Sequence, residues 1–374
     1  MTGWRFLFRV IVKAAILFVL ANLIFALLNP IEALGHVSLY NTLLPGRERL
    51  PYGENPAQSY NLNLYSIPAM FASDVIARPK ASDEFRVLLI GDSSTWGWFL
   101  ENKDTYAAYI NAASLNAANG KRVVAYNLGY PIESVTKDLM VLDEAMKYQP
   151  DLILWLVTLQ SFPRDQQLYP PIVQNNAPRI RDLIARYQLQ IDPNDSRLVT
   201  PDLFGKTIVG QRRALADWLR LQLYGFSWAA TGIDQSIPAT YTPRKSDFDT
   251  DVSWDTFKAP ATLTDADLAF DVLAAGIERA GQVPVVIVNE PMFISSGTHS
   301  DLRYNAFYPR WAYDQYRDLL QKYTADHSWY YLDWWNRIDP AEFTDSPVHL
   351  TPAGSRQLSG WLATAITEVS SGTS

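Results

Sequence analysis

The sequence has no cysteine, which excludes disulfides, thiolate nucleophiles and Cys-ligated zinc together. Histidine is scarce: only His36, His299, His327 and His349 occur, so any imidazole chemistry must use one of these. Positive charge is also short. Lys and Arg number 32 against 39 Asp and Glu, a net charge of −7, which argues against a phosphate-neutralising surface for nucleic acid. No Gly-x-Gly-x-x-Gly or Gly-Lys-Ser/Thr loop is present, so nucleotide binding has no support. His-Glu-x-x-His, EF-hand loops and clustered His/Asp spacings are missing too, and the chemistry considered below requires no metal or cofactor. Charged residues are only 19%, whereas apolar ones reach 48% of 374 residues, enough for one large or two modest domains with a buried core.

One long apolar run is present, near the N-terminus. Residues 10–28 interrupt it only at Lys13 and would span about 28 Å as a helix, close to the hydrocarbon thickness of a bilayer. Arg5, Arg9 and Lys13 flank its start, and the next basic Lys or Arg is Arg47. Basic flanks stay in the cytoplasm, so residues 1–29 read as a cytoplasmic tip and membrane anchor with the rest of the chain outside. A cleaved signal peptide is the alternative, with Ala33-Leu34-Gly35 as a loose small-x-small site. Residues 30–85 are rich in Pro, Asn and Tyr with little periodicity, and read as a juxtamembrane stalk folding back onto the body.

From residue 86 short apolar runs alternate with helical patterns. Strands are expected at 86–90, 122–127, 151–157, 283–289 and 329–332. Helices are expected at 94–118, 134–148, 263–281, 309–326 and 351–369. Such alternation implies an α/β fold, a mostly parallel five-stranded sheet covered on both faces. Residues 161–262 interrupt the rhythm as a helical insert with helices near 175–190 and 204–230. The second carries Trp218, Leu219, Leu223, Phe226 and Trp228 beside Arg212, Arg213 and Arg220, and suits packing on the main sheet, a lid, or an interfacial, membrane-facing position.

Two segments can carry chemistry. Gly91-Asp92-Ser93-Ser94 stands where the first strand meets a helix, the turn on which a Ser hydroxyl faces the crevice at strand ends. Free N–H groups at that helix start suit an oxyanion, although a Ser there also simply caps helices. Asp345-Ser346-Pro347-Val348-His349 precedes the last helix. A Ser nucleophile needs a base, most often His, and a carboxylate to fix its tautomer. Asp345 is near enough on a turn to do so.

These residues resemble the SGNH/GDSL hydrolase superfamily. Gly91-Asp92-Ser93 is similar to its first block, with Ser93 at the nucleophile position. Asn127-Leu128-Gly129 is similar to its second, which implies that Gly129 and Ser93 N–H groups form an oxyanion hole. Asp345 and His349 resemble the final block, which supplies acid and base from one loop. The resemblance implies a flavodoxin-like three-layer α/β/α sandwich over 86–374, the insert lying outside it. Two departures stand out. Three residues rather than two separate Asp345 from His349, and the Asn expected after the third strand is absent, leaving Gln160 as the nearest amide.

Other residues stand outside this set. Glu290, at the end of the fourth strand, reads as a substrate contact or alternative orienting acid, and His299 as a residue of the same crevice or of a solvated loop. Gly225-Phe226-Ser227-Trp228-Ala229 mimics a nucleophile elbow but lacks a preceding strand. The aromatic runs at 304–316 and 329–335 suit core packing or stacking on sugars. The expected function is an extracytoplasmic serine esterase or O-acyltransferase acting on ester groups of cell-envelope glycans. The contrasting expectation is a catalytically silent protein of the same fold that binds glycan or an envelope partner.

Overall fold

The computed structural model describes every residue except Met1, Glu54, Pro56, Thr373 and Ser374. Helix α1 covers Thr2–Leu28 and includes a 26-residue segment long and apolar enough to cross a bilayer, a property that anchors and signal sequences share. Short helices α2 (Leu39–Leu43) and α3 (Ile67–Ser73) follow. The segment expected to form a stalk is woven into the body. Leu50, Leu62, Ile67, Met70 and Phe71 lie fully buried in the main core. Arg49 is buried as well, paired with Asp234 of the insert and bonded to the carbonyls of Gly97 and Leu100. A segment folding back onto the body is expected from the sequence, but not the depth of this burial, because the partners lie up to 185 residues away.

The α/β rhythm then begins. Strand β1 (Glu84–Ile90) leads into α4 (Ser93–Trp96), followed by α5 (Tyr106–Ala112), β2 (Arg122–Asn127), α6 (Val135–Ala145) and β3 (Leu152–Val157). The insert holds α7 (Ala177–Tyr187) and α8 (Arg212–Thr231). The chain closes with α9 (Phe270–Ala280), β4 (Val285–Asn289), α10 (Arg310–Asp326), β5 (Tyr330–Asp333) and α11 (Pro352–Ser370). All five strands are parallel, as the sequence pattern predicts, and their order is β2-β1-β3-β4-β5.

Side chains alternate across the sheet with period two, which produces two cores. Leu88, Ile90, Ile153, Trp155 and Ile287 face one core beneath α3, α6, α9 and α10. Val87, Leu89, Leu154, Leu156 and Val288 face the other, beneath α5 and α11. The strand order reverses between β1 and β3, and the carboxyl ends there open a crevice of the kind such sheets use for ligands.

One expected helix is broken. The stretch 94–118 becomes a single turn, a loop and then α5, because Gly97 adopts φ 93° and caps α4. Phe99 also has positive φ, and Thr105 restarts the helix by accepting a hydrogen bond from Ala108 N–H. This break leaves Trp98 and Phe99 on a loop beside the crevice instead of inside a helix. Many aromatics of the 304–316 run, Tyr308, Tyr313 and Tyr316 among them, are fully buried in the core.

Candidate active site

Ser93 owes its position to a crowded turn. A Cβ on Gly91 would lie 2.3 Å from Thr95 Oγ1 and 3.1 Å from the Leu156 carbonyl, so only glycine lets the chain leave β1 and enter α4 there. Asp92 caps α4 by accepting the Ser94 N–H at 2.7 Å. Ser94 is turned away and pairs with Tyr106 OH at 2.7 Å in the α5 layer. Ser93 keeps 8% exposure and meets His349, whose Nε2 is 2.8 Å from Ser93 Oγ. His349 Nδ1 is 2.8 Å from Asp345 Oδ1. Two residues 256 positions apart and a carboxylate four residues from one of them thus form a single chain of hydrogen bonds.

The longer Asp345–His349 spacing is absorbed by the loop. Phe343 and Leu350 form an antiparallel bridge, Thr344 N–H donates to the His349 carbonyl at 2.8 Å, and Phe293 N–H holds the Pro347 carbonyl at 2.7 Å. Thr344 Oγ1 also donates to Asp345 Oδ1 at 3.2 Å. Burial opposes the Asp345 charge, but the His349 and Thr344 contacts outweigh it and hold the carboxyl below its ordinary value. Trp98 stacks on the His349 ring with centroids 5.7 Å apart, covering the face of the imidazole.

Gly129 lies against the Ser93 turn, where a Cβ would stand 2.4 Å from Trp96 N. Its N–H donates to Asn127 Oδ1 at 3.1 Å, so the group expected in an oxyanion hole has an internal acceptor in this state. Gln160 likewise is bonded elsewhere, its Nε2 donating to Gln166 Oε1 at 3.1 Å, because the longer arm reaches the next turn. The structure does not bring His299 to the triad geometry; its carbonyl accepts N–H groups of Leu302 and Arg303 in a local turn.

Glu290 is not a crevice-surface residue. It is 1% exposed and sits behind the Ser93 turn against Asp92, where burial first and the Asp92 charge second raise its pKa well above the usual carboxylate range. Burial thus disfavours its charge, and the acid that meets His349 is Asp345. The Gly225–Ala229 decoy lies within α8. Gly225 is required there because a Cβ would strike the Tyr40 ring at 2.0 Å.

Two residues of the site were missed in the sequence. Lys137 looks like an ordinary helix cation, yet it is fully buried and donates to the carbonyls of Gly91 at 2.7 Å and Tyr130 at 2.9 Å, tying together the two loops around Ser93. Glu133 follows Ile132, a β-branched residue at φ 80°, a conformation stored mostly at functional sites. Burial, then the Asp92 charge, push the Glu133 carboxyl up to about 7, while Lys137 and His349 pull the other way. Only the strained backbone hints at this, and φ is not legible in sequence.

A pH effect follows. The folded pKa of Glu133 lies above its ordinary 4.5, so its contribution to stability is full at low pH and is lost as pH rises from 4.5 towards 7. Glu133→Gln is therefore expected to flatten the fall in stability across that interval, read from unfolding at a series of pH values. An unchanged fall would assign the pH dependence to another group.

No family model matches the chain, and no curated protein matches it. Solved structures do. A member of the lipolytic protein G-D-S-L family from Veillonella parvula is 13% identical at a TM-score of 0.35, covering 75% of this chain and 96% of its own. A carbohydrate acetylesterase family member from Sinorhizobium meliloti is 11% identical at 0.34, over 77% and 99%. The aryl esterase of M. smegmatis is 12% identical at 0.32, over 75% and 97%.

Proposed function

We propose that the chain is a membrane-anchored serine esterase or O-acyltransferase of SGNH type, acting outside the cytoplasm on ester groups borne by envelope carbohydrate. The observation that carries the reading is the Ser93–His349–Asp345 relay, with both contacts at 2.8 Å. Ser93 Oγ attacks the ester carbonyl while His349 Nε2 takes its proton, and Asp345 fixes the tautomer and balances the imidazolium. The Ser93 N–H, in the first turn of α4 where no intrahelical acceptor exists, is one oxyanion donor. Gly129 becomes the second by exchanging Asn127 Oδ1 for the oxyanion. His349 then returns the proton to the leaving alcohol, and water or a sugar hydroxyl attacks the acyl-enzyme to complete hydrolysis or transfer.

Carbohydrate is favoured by the aromatic rim. Trp98 stands over His349, Phe99 stacks on Tyr241 at 5.7 Å, and Tyr52 packs beside Trp98 at 6.0 Å. An external body follows from Arg5, Arg9 and Lys13 before the apolar run. The engaged N–H of Gly129 and amide of Gln160 favour a second reading, a silent glycan-binding protein. A fluorophosphonate separates the two. Treating the full chain in detergent is expected to label the tryptic peptide 87–103, with label lost in Ser93→Ala and kept in Ser94→Ala. Absence of labelling on the folded protein would favour the binding protein.

A further inference from the structure

The far end of α1 is not free of the body. Asn22, 7% exposed, accepts the Val209 N–H at 3.2 Å and donates to the Phe18 carbonyl at 2.9 Å. Ala26 is buried too, and Asn29 Oδ1 accepts from Gln211 Nε2 at 3.2 Å. The insert therefore grips α1 from residue 22 onwards, about 9 Å before its end at Leu28. Arg5, Arg9 and Lys13 place the start of the hydrocarbon near residue 10, so residues 22–28 fall within the outer leaflet. Whatever touches Asn22 shares that depth.

The part of the insert next to that contact is apolar and uncovered. Phe204 is 66% exposed, with Leu203 exposed beside it. From there α8 leads away, and its residues divide cleanly. Trp218, Gln222 and Gly225 face the body: Gln222 accepts the Leu39 N–H at 2.9 Å and donates to the Val37 carbonyl at 3.1 Å, while Gly225 meets Tyr40. Leu219, Leu223 and Phe226, at spacings of four and three, form a stripe on another face, with Leu223 66% exposed. The stripe continues onto α2, where Leu43 is 75% exposed and Tyr40 contacts Phe226 edge to face. Exposed Arg212 and Arg213 stand at the α1 end of α8. An apolar stripe with basic residues at its margin, continuous with a membrane-crossing helix, is the pattern of a helix lying in the bilayer interface.

We infer that α8, with the 203–209 segment and α2, seats the body in the outer leaflet, its Leu219–Leu223–Phe226 stripe immersed among lipid acyl chains. The inference rests on α1 spanning the membrane. The seat also has a mechanical link to the crevice. Beyond α8, Asp234 pairs with Arg49, and Gln235 donates to the carbonyls of Gly97 and Leu100 at 2.9 and 2.8 Å. Tyr241 then stacks on Phe99, the neighbour of Trp98. One continuous segment thus runs from lipid to the rim over His349 and holds the crevice at a set height above the bilayer.

The absence of cysteine makes the test direct. Single variants Leu223→Cys, Phe204→Cys, Ile16→Cys and Asn119→Cys of the full chain each carry one thiol for an environment-sensitive nitrobenzoxadiazole label. The proteins are placed in nanodiscs of zwitterionic and anionic lipid, with or without a lipid bearing a nitroxide high on its acyl chain. Asn119 adjoins the C-terminus of α11, in the layer opposite α8, and serves as the dry-land control. Labels at 223 and 204 are expected to emit at shorter wavelength and lose most of their emission to the nitroxide, while the label at 119 does neither. Quenching at 16 without quenching at 223 and 204 overturns the seat and leaves the anchor standing. A blue shift at 223 without nitroxide quenching assigns the stripe to a second copy of the chain and also overturns it. No quenching at 16 removes the anchor and the seat together. Leu219→Cys replaces Leu223→Cys if that variant misfolds.

Discussion

Ser93→Ala and His349→Ala are each expected to lower hydrolysis of p-nitrophenyl acetate about 10⁴- to 10⁶-fold, and the double variant to cost little more than either alone. The non-additivity is the informative part. A nucleophile without its base, or a base without its nucleophile, leaves the same residual catalysis from binding and the oxyanion donors. The 2.8 Å contact between His349 Nε2 and Ser93 Oγ is the geometry such a unit needs. Ser94→Ala is the control. Its hydroxyl is committed to Tyr106, so the change should remove about 1 kcal/mol of stability and leave turnover within a few-fold. Circular dichroism of each variant checks folding. Activity retained in Ser93→Ala would refute the nucleophile, and additive losses would mean that the two residues act separately.

The sheet was legible because its strands are short apolar runs ending at glycine or polar turns. The runs at 86–90, 122–127 and 151–157 emerge as Glu84–Ile90, Arg122–Asn127 and Leu152–Val157. Ser93 and His349 were legible because strand ends of one parallel sheet converge on one edge. What could not be read depends on contacts between distant segments. Arg47 and Arg49 look like surface charges of a flexible stretch, yet both are buried, Arg47 holding Asn61 and Arg49 holding Asp234. Lys137 and Asp138 look like helix-surface charges, yet they form a buried pair at 2.6 Å. Glu290 has the right address, at the end of β4, but its depth is set by packing against Asp92. Pattern reveals which element a charge occupies; only the fold reveals what lies on its other side.

The placement of α8 is of the same kind. Its sequence offers two apolar faces, and periodicity alone does not say which one the body covers. Gly225 decides it, since the Tyr40 ring occupies the space that any side chain there would need. The body takes the glycine face, and the Leu219–Leu223–Phe226 stripe is left for another apolar phase.

Asp345, the proposed orienting acid, gives the second large effect. Asp345→Asn is expected to reduce turnover about 10²- to 10⁴-fold, because an amide offers His349 Nδ1 a partner that either favours the wrong tautomer or carries no charge to balance the imidazolium. The lower end of that range reflects partial exposure of the Asp345 side chain, 27%, which lets water substitute. Glu290→Gln should change turnover by less than about tenfold, since the carboxyl that meets His349 is Asp345 and burial already disfavours a charge at Glu290, where an amide has nearly the same shape. Stability should separate the two variants as well. The folded pKa of Asp345 lies below its ordinary 3.8, so its contribution is present above that value and is lost as pH falls through the lower folded one. Wild type should therefore lose stability in that acidic window more steeply than Asp345→Asn. A greater loss of turnover in Glu290→Gln, with both variants folded, would move the orienting role to Glu290.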